Sequence, residues 1–141
     1  MGVTVTSNYK RAVDLSGGYF MMHSIRKRVA LAIDKDFGEH YETLIRCYKD
    51  EDFKEFNKKA NQMIKEKKLY VNNEDLLDFL FAPDCDGKIS YKTCGKIYNL
   101  IKDIEEPKLC LRYAIDSDND WEDFKTLLKE CYSHRANMIW Y

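Results

Sequence analysis

The chain has 141 residues, 45% of them hydrophobic, and 23 Lys and Arg against 24 Asp and Glu give a net charge of -1. That is one domain long enough to bury a core. Its balanced charge excludes both the basic field of a general nucleic-acid binder and the strong acidity of a DNA mimic.

In chain order, residues 3–7 (VTVTS) alternate and are β-branched, which predicts a strand. The opening residues lack a basic start followed by an apolar run, so no export signal is expected and the expected location is cytoplasmic. Phe20, Ile25, Val29, Ala32 and Ile33 share one side of a helix that is expected to end near Phe37-Gly38. Phe37, Tyr41, Leu44, Ile45 and Tyr48 continue at helical spacing. Phe53, Phe56, Ala60, Met63 and Ile64 form the next stripe, with Lys54, Lys58, Asn61 and Lys65 opposite. Asn72 or Asn73 is placed to cap a short helix holding Leu76, Leu77 and Leu80. Ser90 is placed to cap a helix lined by Cys94, Ile97, Ile101 and Ile104, which Pro107 ends. Residues 108–115 (KLCLRYAI) alternate as a strand would. Asp120 is placed to cap a last helix with Trp121, Phe124, Leu127, Leu128 and Cys131 inward. Residues 137–141 (NMIWY) read as a short aromatic strand. The expected fold is helix-rich α+β in a single compact domain over residues 1–141. It has about six helices and a small sheet built from the N-terminal segment, residues 108–115 and the C-terminal segment.

The most suggestive local stretch is APDCDGKISYKTC, residues 82–94. With Gly87 at position 6 of a calcium-binding EF-hand loop, Asp84 and Asp86 fill positions 3 and 5. Position 1 is then Ala82 and position 12 is Thr93, so two main ligands are missing. In residues 116–127, Asp116, Asp118 and Asp120 fit positions 1, 3 and 5, but Trp121 replaces the required glycine. Both stretches read as acidic turns before helices, and no metal ligand is assigned. The five cysteines and three histidines are dispersed, without a CxxC or HExxH pattern, which argues against a zinc site.

Ser16, Gly17 and Gly18 precede a helix, where unpaired backbone N–H groups can hold an anion. With Arg26 and Arg28 two turns later, they form the candidate site for a small phosphorylated ligand. Arg26 to Arg28 and residues 58–68 (KKANQMIKEKK) are basic runs that keep a DNA-backbone contact open. Ten tyrosines and two tryptophans make the chain aromatic-rich. The closing IWY reads first as a strand that finishes the core; the alternative is a binding face, with Tyr19, Trp140 and Tyr141 as the candidate interface residues, since aromatic side chains dominate interface hot spots. No GxSxG, zincin or dinucleotide fingerprint occurs. Cys47, Cys131, His40 and His134 could assemble a Cys–His pair only in space, so no catalytic residue is assigned and no cofactor is expected.

GEHYETLIRC, LLDFLFAPDCDGKISYKTCGKIYNLIKD and the closing NMIWY resemble segments of small proteins encoded by phages and integrative mobile elements of Firmicutes. The resemblance spans about two thirds of the chain. It carries no assigned activity and no functional residue. It implies a genomic setting in which small proteins often inhibit host defence by binding a protein or sequestering a signal nucleotide. The leading expectation is a non-enzymatic intracellular binding protein with a host or phage protein as partner. The alternatives are a binder of a phosphorylated nucleotide signal and an enzyme of unrecognised type.

Overall fold

The computed structural model describes residues 2–9, 14–84, 86–104 and 118–141, the side chains of 118 and 119 excepted. The chain starts with strands β1 (Gly2–Ser7) and β2 (Leu15–Gly18), followed by helices α1 (Tyr19–Ile33) and α2 (Lys35–Glu42). A 3-10 turn (Thr43–Arg46) leads into α3 (Asp50–Glu66) and α4 (Glu74–Phe81). Strand β3 (Gly87–Ile89), α5 (Tyr91–Ile101), α6 (Asp118–Ser133) and β4 (Met138–Trp140) complete the described chain. The four strands form one antiparallel sheet in the order β2-β1-β4-β3.

The helix-rich α+β expectation holds, with six α-helices among the described residues. The two end segments do pair, Val5 opposite Trp140 and Ser7 opposite Met138. The other two strands are not those expected: β2 and β3 flank the central pair. The strand expected over residues 108–115 lies outside the described residues.

One face of the sheet is buried and the other is wetter, the usual antiparallel arrangement. Val3, Val5, Ser7, Ile89, Met138 and Trp140 point inward. Thr4, Thr6, Lys88 and Ile139 alternate with them on the outer face. Helices supply the rest of the core through Ile25, Val29, Phe37, Phe79, Ile97, Trp121 and Phe124, among others.

Several element ends differ from the sequence pattern for local reasons. The break after α1 falls at Asp34, not at Phe37-Gly38. Asp34 is extended (φ -161°, ψ 133°), and its carboxylate accepts the Phe37 N–H at 2.9 Å, a helix N-cap. Gly38 sits inside α2, where a Cβ would collide with the Leu31 Cα. Ile25 and Val29 are buried in α1 as expected, together with Met21, Met22, Arg26 and Ala30, whereas Phe20 is 64% exposed and Ala32 and Ile33 are only partly covered. A pattern drawn through apolar residues alone finds Ile25 and Val29 but not Arg26 beside them. Ser90 caps α5 as expected, accepting the Thr93 N–H. That helix ends at Ile101, and Ile104 is exposed rather than inward. Asn73 stands at the N-cap of α4 but spends its side-chain amide on the Leu69 carbonyl. Helix α6 begins at Asp118, which puts Asp120 inside its first turn rather than at its cap.

Candidate binding surface

Ser16–Gly18 does not form the turn expected of an anion site. The stretch is extended and pairs with β1, with Gly2 opposite Gly18 and Thr4 opposite Ser16. Gly18 precedes the helix at φ -79° and ψ 176°, and no described glycine has a positive φ. A backbone nest needs a left-handed residue beside a right-handed one, and that succession is missing here. Gly17 instead lets the Met21 side chain lie against the strand.

Arg26 does not reach toward that stretch. It is 3% exposed. Nη1 donates to the Asp84 carboxylate at 2.9 Å and Nη2 to the Pro83 carbonyl at 3.1 Å. The guanidinium lies 5.5 Å from the Phe79 ring centre and 5.7 Å from that of Trp140, within cation–π range. The Trp140 indole N–H donates to the same Pro83 carbonyl at 2.9 Å. One carbonyl oxygen, with two lone pairs, thus serves both donors. The turn then passes through Asp86 at φ 57° to Gly87. A Cβ on Gly87 would overlap the Trp140 indole.

These contacts explain the calcium-like stretch. Asp84 neutralises a buried cation, Pro83 offers its carbonyl, and Gly87 makes room for a tryptophan. Sequence reasoning missed this pairing, because 58 residues separate Arg26 from Asp84. The available signal was an arginine inside the apolar stripe of α1, since a charge there needs a partner. Arg28 lies elsewhere, 5.4 Å over the Trp121 ring. Of the two arginines, Arg26 is thus committed to Asp84 and Pro83, and Arg28 packs over an aromatic ring.

Of the candidate interface residues, Trp140 belongs to the core at 1% exposure. It is too large and too apolar to leave outside when the sheet closes over it. Tyr19 is partly buried against the core. Tyr141 stays 61% exposed. It exchanges backbone hydrogen bonds with Thr4 at 2.8 and 3.0 Å. Ser16 stands on the other side of Thr4, and the two hydroxyls are 3.4 Å apart. Tyr141, Thr4 and Ser16 thus make a row on the outer sheet face. Asp14, Thr6, Ile139 and Lys88 make the next row, with the Thr6 hydroxyl donating to Asp14.

The four Cys and His residues considered for a nucleophile pair are engaged separately. Cys47 approaches the Thr43 and Asp52 carbonyls. His40 bonds the Phe56 carbonyl through Nε2 at 3.0 Å and stacks on that ring. His134 stacks on Tyr9. Cys131 is buried and shares a hydrogen bond with Cys94, and this pairing together with burial pushes the Cys94 thiol up. Tyr41 is pushed up to about 12 by burial, and its hydroxyl donates to the Leu80 carbonyl at 2.6 Å. His23 is pulled below its ordinary value, chiefly by burial and then by Lys27. Among the described residues, no three His, Cys, Asp or Glu side chains converge as a metal site would require. A shallow cleft of about 370 Å³ is lined by Asn72, Asn73, Leu76, Lys96, Asn99 and Leu100. No helix among the described residues is long and apolar enough to cross a membrane.

No family model, curated protein or solved structure matches this chain.

Proposed function

We propose that this chain is a non-enzymatic binding protein that engages another protein through the outer sheet face and the start of α1. The observation that carries this reading is the aromatic pair Tyr141 and Phe20, 61% and 64% exposed. Tyr141 stands in a row of hydroxyl side chains, and Phe20 is the second residue of α1, two positions past the end of β2. Aromatic anchors beside small polar groups are what a protein interface uses. The titratable groups with shifted protonation, such as Tyr41, His23 and Cys94, serve internal hydrogen bonds and packing. Arg26, the intended anchor of a phosphorylated ligand, is committed to Asp84 and Pro83.

The resemblance to small phage and mobile-element proteins supports a bacterial host protein as the partner, with an accessory or anti-defence role. The test uses tagged protein and a double variant, Phe20→Ser with Tyr141→Ser, as baits in bacterial lysate. Mass spectrometry reads both proteins and small molecules released on denaturation. A stoichiometric protein held by the unaltered bait and lost from the variant is the expected result. Equal capture by both baits would move the interface elsewhere. A released nucleotide with no protein partner would favour a ligand-sequestering role instead.

A further inference from the structure

Helix α3 is the least enclosed helix among those whose side chains are described. Of its 17 residues only Phe56 and Ala60 are buried, and it packs chiefly on α2 and the 3-10 turn. Its buried line runs through Phe56, Ala60 and the partly covered Met63. At about 100° per residue, a second line lies on the flank of the first. That line is Asp50, Phe53, Asn57, Asn61 and Ile64, and Lys68 follows two residues past the helix end, where the backbone turns left-handed at φ 52°. All of these are exposed except Ile64, which is partly covered, and Phe53 shows 41% of its surface.

The order of this line is its own complement when reversed. An acid, a large apolar group and an amide are followed by an amide, a large apolar group and a base. The separations are three, four, four, three and four residues, the mixed spacing of a seam between paired helices. Neither Asp50 nor Lys68 has an ion-pair partner among the described residues. Acids at the start of α3 and lysines at its end also suit the helix dipole within one copy. The dipole does not account for the apolar residues left exposed beyond both ends. Tyr48 is 91% exposed before the helix, and Tyr70 and Val71 are 44% and 50% exposed after it.

We propose that this flank of α3 docks a second copy of the same chain, antiparallel about a twofold axis near the middle of the helix. Asp50 then faces Lys68 of the second copy, Phe53 faces Ile64, and Asn57 faces Asn61. Each pairing occurs twice, as an isologous interface requires. The amides both donate and accept, so the central pair satisfies itself. The same axis carries Tyr48 toward Tyr70 of the second copy, which extends the contact beyond the helices. One helix pair buries less than the ~800 Å² per partner of a standard interface. The association is therefore expected to be weak, with a dissociation constant on the order of 10–100 µM.

Sedimentation equilibrium of the full chain, up to about 0.5 mM, tests this directly. The expected mass rises with concentration from 16.7 kDa toward twice that value. Asp50→Lys sets lysine against Lys68 at both ends and should weaken dimerisation about tenfold or more. Adding Lys68→Asp should restore it to within about threefold, because the reversed pair attracts again. Phe53→Asn should weaken it by about tenfold. All of these positions are exposed, and thermal melts confirm that each variant folds. A chain that stays at 16.7 kDa throughout overturns the proposal. So does a dimer indifferent to Asp50→Lys, or one not restored by the double reversal. A monomer retarded by duplex DNA through its lysines overturns it in favour of nucleic acid.

Discussion

Two regions of this molecule use charge in opposite ways. On the sheet side, Arg26, Asp84, Pro83, Gly87 and Trp140 come from three distant parts of the chain and lock onto one another. On the other side, α3 carries a dense set of charges that mostly stand in solvent. Arg26 stands among the candidate ligand residues in the sequence and Asp84 in an acidic turn; together they close the core. Helix α3 mixes five acids with four lysines, and nearly all of its residues are open to solvent. Residue type alone separates the two poorly, because the environment decides whether a charge is committed. A guanidinium at 3% exposure must be paired, whereas a lysine in water need not be.

The sharpest way to break this contrast is to remove the lock. Trp140→Ala should destabilise the fold by about 3–5 kcal/mol in a denaturant titration. Gly87→Ala should cost about 1–3 kcal/mol by pushing a Cβ into the same indole. A loss under 0.5 kcal/mol for the tryptophan would mean that the sheet side is not the anchored one.

The ion pair offers a finer test, because its two halves are unequal. Arg26 is buried, whereas the Asp84 side chain is 64% exposed. Asp84→Ala strands a buried cation and should cost about 3 kcal/mol. Arg26→Met leaves only a solvated carboxylate and keeps the packing, so about 1 kcal/mol is expected. The reverse order in thermal melts would show that the guanidinium is not held by Asp84.

Asp34 joins α1 to α2 and reaches toward the end of α3 through Lys67, at 3.0 Å. Asp34→Ala should cost about 1 kcal/mol, as loss of a helix cap does. Its carboxyl is held below the usual carboxylate value, first by the Phe37 N–H. That contribution is therefore complete above the unfolded carboxylate value. It fades as pH falls through the folded one.

His23 should give a smaller effect in a milder window. Burial holds its folded value below 6.5, so the neutral ring is favoured in the fold. Stability should be flat above pH 6.5 and decline as pH falls below it, where the unfolded chain takes up a proton first. His23→Gln should flatten that decline in melts at stepped pH. The smallest effect belongs to α3: Lys58→Ala should stay within about 0.5 kcal/mol. A larger loss would show that this helix face is not simply solvated.

Periodicity made much of the architecture legible. The stripes of α5 and α6, the Ser90 cap and the two end strands all rest on local signals: alternation, helical spacing and a hydroxyl before a helix. Those signals act within a few residues, so a linear reading captures them. The stripe of α1 is legible at Ile25 and Val29 but not at Arg26, and the α1–α2 break is hidden because Phe37 continues an apolar pattern across Asp34.

The sequence alone determined that this is a helix-rich α+β chain, and it identified most of the side chains that fill the core. Only the tertiary structure decided which strands flank the end pair and where Arg26 points. It also decided that Gly87 makes room for the Trp140 indole. The physical reason is range. Helical periodicity and caps follow from neighbours along the chain, whereas the burial of a charge follows from whichever distant group arrives to neutralise it.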